Sequence, residues 1–229
     1  MRPVGKSPAP GPFSPPPALP DEASAQLNGA RMRTVPRQQR ARAAVNRILR
    51  ATGELLDETG FDSLTTTAVA ERADVNIATL YRYFPDKFAL VEALALALET
   101  ERHEKTQPLL LAFGTSNDWR RELRALVEKL LDLRLKRSGV KGMRHALHAA
   151  PPLWTAERAD FARMAERIAG AMRSRAPTMT AHRAELVSRT VVSMLIGLLD
   201  WGMAEPEQRR IIVREGMVAL ERYLAPYLD

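Results

Sequence analysis

The chain has 229 residues, of which 45% are hydrophobic and 27% charged, and it carries a formal net charge of +7. These proportions are typical of a globular protein of one or two domains that can bury a sizeable core. The absence of cysteine excludes a disulfide scaffold and a thiolate metal site, and the basic charge favours an anionic partner such as nucleic acid.

The N-terminal segment differs in composition from the rest of the chain. Residues 1–20 contain eight prolines and almost no apolar periodicity. Such a segment cannot bury a core, so residues 1–35 are predicted to form a disordered, Pro-rich tail. The tail lacks the continuous apolar run of a signal peptide. An alternative is that translation starts at Met32, and the sequence leaves both possibilities open.

A basic run follows the tail and leads into the first predicted helix. Residues 31–50 contain seven arginines and no acidic residue. The helix is predicted from about Arg37 to Glu58, with Gly60 ending it in a left-handed conformation. Because the run directly precedes the motif described next, Arg37 and Arg40 are expected to contact phosphates or a minor groove. The alternative is a solvated helix face.

Residues 65–83 predict two short helices joined by a tight turn, which is a helix-turn-helix. Asp74 occupies the turn position that usually needs a left-handed backbone, which Asp tolerates better than most residues. Asn76 is expected to cap the second helix, and Thr65 or Thr66 the first. In such a motif the second helix enters the major groove of DNA.

The outer face of the second helix carries groups that can reach base edges, thymine methyls and phosphates. The predicted base contacts are Ile77, Ala78, Thr79, Arg82 and Tyr83. The predicted phosphate contacts nearby are Thr66, Thr67, Tyr81 and Lys87. With the capping residue Asn76 and the two arginines of the basic run, these complete the expected DNA-binding set.

The remainder of the chain shows helical periodicity and no alternating strand pattern, so the fold is predicted to be all-α. A fourth helix is expected from about Asp86 to Lys105, shared between two domains and ended by Pro108. Five further helices are predicted near residues 117–137, 140–149, 153–175, 181–204 and 207–226.

The last two predicted helices indicate a homodimer. Residues 186–203 are apolar on all sides of a helix, which requires burial on all sides, and Arg189 and Asp200 interrupt the run too often for a membrane span. Apolar residues of the final helix recur at spacings of 4, 3, 4 and 3. We expect a four-helix bundle between two copies, with packing inside one chain as the alternative. The predicted interface residues are Val191, Leu195, Leu198, Val213, Met217, Leu220 and Leu224.

The C-terminal half is rich in methionine, which lines adaptable apolar sites. Seven of the nine methionines lie between residues 143 and 217. These side chains favour a pocket for a largely apolar small molecule, with ordinary core filling as the alternative. A basic cluster could instead attract an acidic ligand, with a solvated helix face as the favoured interpretation; it comprises Lys136, Arg137, Lys141, Arg144, His145 and His148. The predicted pocket residues are Trp119, Met143, Trp154, Met164, Met172, Met194 and Trp201.

The sequence gives little support for an enzyme. His145 and His148 stand three apart on a predicted helix, but no carboxylate motif accompanies them. No phosphate-binding glycine loop, nucleophile elbow or carboxylate pair occurs. We therefore expect no catalytic residues, no metal and no cofactor.

Residues 73–90, ADVNIATLYRYFPDKFAL, resemble the signature of TetR-family transcriptional regulators, A-G-V-S-x-G-T-L-Y-x-H-F-x-S-K-E-x-L. The residues that stand at the expected offsets include Val75, Thr79, Leu80, Tyr81, Phe84, Lys87 and Leu90. The departures from it include Asp74, Asn76, Ala78, Tyr83 and Phe88. Tyr83 and Ile77 alter the surface that faces DNA, so the operator of a relative does not transfer to this chain.

The resemblance implies an all-α homodimer of two domains. Residues 36–90 would form a three-helix DNA-binding domain, and residues 91–229 a helical domain that dimerises and binds a small inducer. The expected function is a cytoplasmic, sequence-specific repressor that a small-molecule effector releases from a palindromic operator on double-stranded DNA, with no membrane partner. One alternative is a non-specific architectural DNA-binding protein. Another is a dimeric ligand-binding module with a vestigial DNA domain, against which Tyr81 and Lys87 argue.

Overall fold

The computed structural model describes residues 31–229 and contains helices but no strand in that part of the chain. The all-α prediction is confirmed. Most of the predicted Pro-rich tail lies outside the described residues. The helices are α1 (Gln39–Ser63), α2 (Thr66–Arg72), α3 (Ile77–Tyr83), α4 (Lys87–Thr115), α5 (Trp119–Lys136), α6 (Val140–Ala149), α7 (Trp154–Arg175), α8 (Ala181–Ala204) and α9 (Arg209–Leu228), with a 3-10 turn at Pro151–Leu153.

Helices α1, α2 and α3 share one hydrophobic core with the start of α4. Val45 and Ile48 of α1 are fully buried against Leu80 and Phe84, which lie four residues apart at the end of the helix-turn-helix. Gly60 has a φ of 77°, a value that other residues rarely adopt, and it breaks α1 near its end. The predicted stop at Gly60 is therefore confirmed as a kink, after which a last short turn continues to Ser63.

Helix α4 is longer than the sequence predicts. The expected end before Pro108 is wrong, because the helix continues through the proline to Thr115. A proline inside a helix removes one backbone hydrogen bond, but this cost can be offset where neighbouring helices hold the segment. Here α4 packs along both α5 and α7, and Phe113 beyond the proline is buried. The predicted domain boundary after residue 90 thus falls inside a continuous helix, and it stays a prediction.

Helix α6 docks on α1 through an unusually close backbone contact. The Asp57 carboxylate of α1 accepts hydrogen bonds from the N–H groups of Gly139, at 2.5 Å, and Gly142, at 3.0 Å. A Cβ atom on Gly142 would lie only 2.5 Å from the carbonyl carbon of Leu56. Because α6 sits this close, its buried residues such as Val140 join the same hydrophobic core as the first three helices.

A second core is formed by α5, α7, α8 and α9 with the far end of α4. Met172 of α7, Val192 of α8 and Leu220 of α9 are fully buried there. Helix α8 is long and apolar enough to cross a bilayer, but 44% of its apolar window is buried inside this chain. Core helices of soluble proteins often have such a length and composition, so these two properties are weak evidence that α8 crosses a membrane.

Candidate nucleic-acid interface and ligand cavity

Three backbone features fix the geometry of the helix-turn-helix. Asp74 has a φ of 50°, which confirms the left-handed turn position. The Asn76 side-chain oxygen accepts a hydrogen bond from the Ala78 N–H at 2.8 Å, so the predicted cap of α3 is confirmed. Thr65 caps α2 by accepting from the Ala68 N–H at 3.1 Å. The turn and both caps therefore hold α2 and α3 at a fixed angle.

The cap at Asn76 predicts a measurable loss of stability. Helix α3 has only seven residues, so its first turn is a large part of it. We expect Asn76→Ala to lower the free energy of unfolding by about 1 kcal/mol, because a backbone N–H loses its side-chain acceptor. Asn76→Asp keeps an acceptor and is expected to stay near the parent value in urea denaturation. Equal losses in the two variants would contradict the capping role.

The outer face of α3 is accessible. The side chains of Ile77 and Tyr81 are 37% and 39% exposed. The Tyr81 hydroxyl lies 3.0 Å from the Thr66 hydroxyl at the start of α2. Of the predicted DNA-binding residues, Thr66 and Thr79 are half-buried. Besides Tyr81, seven others are exposed: Arg37, Arg40, Thr67, Asn76, Ile77, Ala78 and Arg82.

Tyr83 does not belong to this face. Its side chain is only 5% exposed and its ring lies 6.5 Å from the Phe84 ring. It stands three residues after the buried Leu80, which places both on the inner side of α3. The prediction that Tyr83 contacts bases is therefore wrong.

Lys87 is half-buried and makes contacts within the chain. Its ammonium donates to the carbonyls of Phe61, at 3.1 Å, and Asp62, at 3.4 Å, and lies 4.4 Å from the centre of the Phe61 ring. These contacts join the start of α4 to the end of α1. Its predicted phosphate contact stays a prediction.

The basic residues before α1 form a short arm that sequence reasoning did not place. The Arg33 backbone N–H donates to the Tyr83 carbonyl at 2.9 Å. The Arg31 guanidinium donates to Asp86 at 3.0 Å, and the Arg31 backbone N–H donates to Glu92 at 3.2 Å. Burial raises the pKa of Glu92, and the nearby Arg31 opposes that rise. The arm thus lies against the junction of α3 and α4.

A cavity of about 450 Å³ opens between α4, α5, α6, α7 and α8. Its wall combines aliphatic side chains, such as Leu96, Leu130 and Leu147, with charged ones. Among the described residues, six arginines and four acidic residues line it. The wall thus joins a large aliphatic part to a charged part, and the largely apolar character of the effector stays a prediction.

The charged side chains of the wall form ion pairs. Arg163 donates to both carboxylate oxygens of the buried Glu99, and Arg167 lies 3.3 Å from the same carboxylate. Arg144 binds both oxygens of Asp200, at 2.9 and 2.8 Å, and Arg134 donates to one of them. Burial and then the charge of Arg144 lower the pKa of Arg134 to about 10.

The structure brings only two of the predicted pocket residues together. Met143 and Met164 line the cavity. The predictions for Trp119 and Met172 are wrong, because both are buried in the second core. The prediction for Met194 is wrong because its side chain packs, partly buried, on the second core. The predictions for Trp154 and Trp201 are wrong because both side chains are exposed. Of the cavity arginines, Arg137 and Arg144 belong to the basic cluster considered from the sequence. The other four were missed, because alternating charges in a helix resemble a solvated face; they are Arg102, Arg134, Arg163 and Arg167.

The predicted dimer residues occupy the inner side of the last two helices. Val213 is partly buried against the second core, and the other six are buried in it; the six are Val191, Leu195, Leu198, Met217, Leu220 and Leu224. The assignment of these six to an interface is wrong, because α8 and α9 bury them within one chain; the assignment of Val213 stays a prediction. The opposite side leaves four large apolar residues exposed: Leu186, Trp201, Ile211 and Val218.

Within residues 31–229, no group of three or more His, Asp or Glu side chains is arranged to hold a metal ion. His148 instead lies 3.1 Å from Glu157, and its Nδ1 is 2.9 Å from the Arg144 carbonyl. The two candidate sites in this part of the chain are therefore the exposed face of α3 and the cavity lined by aliphatic and charged side chains.

Two family models match the chain. Residues 48–94 match the model described as bacterial regulatory proteins, tetR family, and residues 118–224 match the one described as tetracyclin repressor-like, C-terminal domain. The HTH-type transcriptional repressor KstR of Mycolicibacterium smegmatis is 49% identical over 70 residues, which are 30% of this chain and 34% of that protein. The chain spans about a third of the length of the curated relatives it matches.

Solved structures are similar over most of the chain. A TetR-family transcriptional regulator from Streptomyces coelicolor is 26% identical with a TM-score of 0.63, and the match covers 81% of this chain and 99% of that one. A TetR variant from Acinetobacter baumannii, in complex with minocycline, is 25% identical with a TM-score of 0.54, covering 79% and 93%. KstR and the Streptomyces protein are described as a transcriptional repressor and a transcriptional regulator.

Proposed function

Since this chain belongs to the TetR family of bacterial regulatory proteins, we propose that it is a DNA-binding repressor of transcription that leaves a palindromic operator when a small molecule binds. The observation that carries the proposal is the exposed face of α3, held by the Asp74 turn and the Asn76 cap. A helix presented in this way can enter a major groove. Such a protein acts in the cytoplasm, where the DNA is.

The apolar side of α8 and α9 supports a homodimer. Four large apolar side chains remain exposed there, and soluble monomers rarely leave such a surface uncovered. A second copy of the chain would cover it symmetrically. Two α3 helices related by a two-fold axis would then read half-sites about 34–36 Å apart.

The cavity supports regulation by a small molecule. Helix α4 contributes to the cavity wall and begins directly after α3, while α6 contributes Val140 and Met143 and docks on α1. A ligand that fits the cavity better when these helices shift would favour a dimer with altered α3 spacing. The minocycline complex of the Acinetobacter protein, a member of the same family, supports this assignment.

Selection of the purified chain against a randomised duplex library at physiological salt tests the proposal. We expect a two-fold palindrome, bound roughly a thousandfold more tightly than random DNA. Recovery of DNA without a motif, with a steep dependence of affinity on salt, would instead identify a non-specific architectural protein. Failure to bind any duplex would favour a ligand-binding module without DNA activity.

Arg82 offers a test of base contact on the exposed face of α3. We expect Arg82→Ala to reduce the ratio of operator binding to random-DNA binding about tenfold or more, because an arginine paired with a base contributes mainly to discrimination. Fluorescence anisotropy with both duplexes measures the ratio, and Arg173→Ala, an exposed position in α7, is the matched control. Equal losses on both duplexes, with a salt slope lower by about one, would place Arg82 on a phosphate.

A further inference from the structure

Two carboxylates of the cavity region are each shared by two arginines. Glu99 pairs with Arg163 and Arg167, and Asp200 pairs with Arg134 and Arg144. One carboxylate neutralises one guanidinium, so each group carries an excess positive charge. All four arginines line the cavity.

The excess charge lies where water screens it poorly. The side chains of Arg134 and Arg144 are 12% and 14% exposed, and that of Arg167 is 28% exposed. Burial, followed by the charges of Arg102 and Arg163, lowers the pKa of Arg167 against the opposing charge of Glu99. Cations in this position repel one another, and an anion placed among them would relieve the repulsion.

The acidic residues of the wall do not offer an equivalent place for a cation. The buried carboxylate of Glu99 is already bound by two arginines. Glu101 is bound by Lys105 and Arg137, Asp160 by Arg102, and Glu92 lies near the arm residue Arg31. A cationic ligand would therefore have to displace an arginine from its partner.

The rest of the wall is aliphatic. Leucine and methionine side chains of α4, α5 and α6 face the cavity, including Leu96, Leu133 and Met143. A volume of about 450 Å³ falls within the range of small-molecule sites. The cavity thus offers a charged wall and an apolar wall to one occupant.

We propose that the ligand of this cavity is an amphipathic organic anion. Its head, a carboxylate or phosphate, binds between Arg167 and the pair of Arg134 and Arg144, and its apolar body lies against the aliphatic wall. The inference rests on the proposed function only in treating the cavity as the effector site. Charge-assisted hydrogen bonds from guanidinium groups fit both heads.

Calorimetric titration of the full-length chain, without DNA, tests the proposal with four probes of one chain length. These are decanoate, decyl phosphate, decanol and decyltrimethylammonium. We expect at least one anion to bind about tenfold or more tightly than the neutral and cationic probes, since hydrogen bonds to charged groups are the strong ones. The tighter of the two anions identifies the head. Equal affinities, tighter binding of decanol or the cation, or no binding by any probe would overturn the proposal.

Three variants place the effect in the cavity. Arg167→Met removes excess charge while Arg163 keeps its two bonds to Glu99, and we expect anion affinity to fall about tenfold and decanol affinity to stay unchanged. Arg167→Lys retains the charge and should retain most of the affinity. Arg173→Met is the control in the same helix, at an exposed position. An equal loss in Arg167→Met and Arg167→Lys would overturn the charge argument.

These results are separable from the test of DNA binding. A chain that selects a palindrome but prefers decanol keeps the proposed function and loses this inference. A chain that prefers the anions but selects no motif keeps the ligand class and loses the assignment as a repressor.

Discussion

Replacing Gly142 with alanine is expected to lower the free energy of unfolding by about 1–3 kcal/mol, because the new methyl group overpacks a backbone contact. A Cβ at this position would lie 2.5 Å from both the carbonyl carbon and the carbonyl oxygen of Leu56. Backbone atoms of a packed helix cannot rotate away as a flexible side chain can. Helix α6 must therefore move off α1, and the hydrogen bonds from Gly139 and Gly142 to Asp57 must lengthen.

Gly170 provides the matched control. It lies in α7, it is exposed, and a Cβ there would meet no atom within 4 Å. Because glycine costs conformational entropy in a helix, Gly170→Ala is expected to raise the free energy of unfolding by about 0.5–1 kcal/mol. Urea denaturation followed by circular dichroism measures both variants. A Gly142→Ala protein as stable as the parent would show that α6 does not depend on this close approach.

The same substitution bears on regulation. Val140 and Met143 of α6 line the cavity, while Leu56 and Asp57 belong to the helix that supports α3. The contact at Gly142 is thus a short connection between the cavity wall and the DNA-binding helices. We expect Gly142→Ala to weaken the effect of a cavity ligand on operator affinity, measured in the same anisotropy assay.

The helices and the helix-turn-helix were predictable because their signals are local. The caps at Thr65 and Asn76, the turn at Asp74 and the break at Gly60 each depend on residues within one or two turns. Pro108 misled the prediction because its local effect is opposed by helices that are distant in the sequence. Tyr83 misled it because a polar hydroxyl suggested the outer face, whereas its spacing of three residues from Leu80 places it on the inner side of α3.

The cavity and the α1–α6 contact were not predictable, since they depend on residues far apart in the chain. Asp57 and Gly142 are 85 residues apart, and neither belongs to a periodic pattern that points to the other. Arg167 and Glu99 are separated by 68 residues. Apolar periodicity identified the sides of α8 and α9 correctly as packing surfaces, but periodicity does not tell which side faces the same chain and which faces a second copy.

Trp201→Glu, on the exposed apolar side of α8 and α9, is expected to convert the proposed dimer to monomers. Trp201 is 58% exposed in the single chain, and it lies on the same outer stripe of α8 as Leu186. Tryptophan is among the residues that contribute most to interfaces. Because the dimer is two-fold symmetric, the substitution occurs twice in one interface. If each copy weakens the free energy of association by about 2 kcal/mol or more, the total loss is about 4 kcal/mol. The dissociation constant of the dimer then rises roughly a thousandfold.

Sedimentation equilibrium over a range of concentrations measures the change, and Leu111→Glu is the matched control. Leu111 lies in α4 and is 68% exposed, so its replacement adds the same charge to an apolar surface residue outside α8 and α9. We expect the control to remain dimeric, and Trp201→Glu to lose operator affinity because a monomer offers one α3 to a palindrome that needs two. If Trp201→Glu remained dimeric while Leu111→Glu dissociated, the interface would lie on α4, and both α8 and α9 would present their apolar residues to solvent or to a different partner.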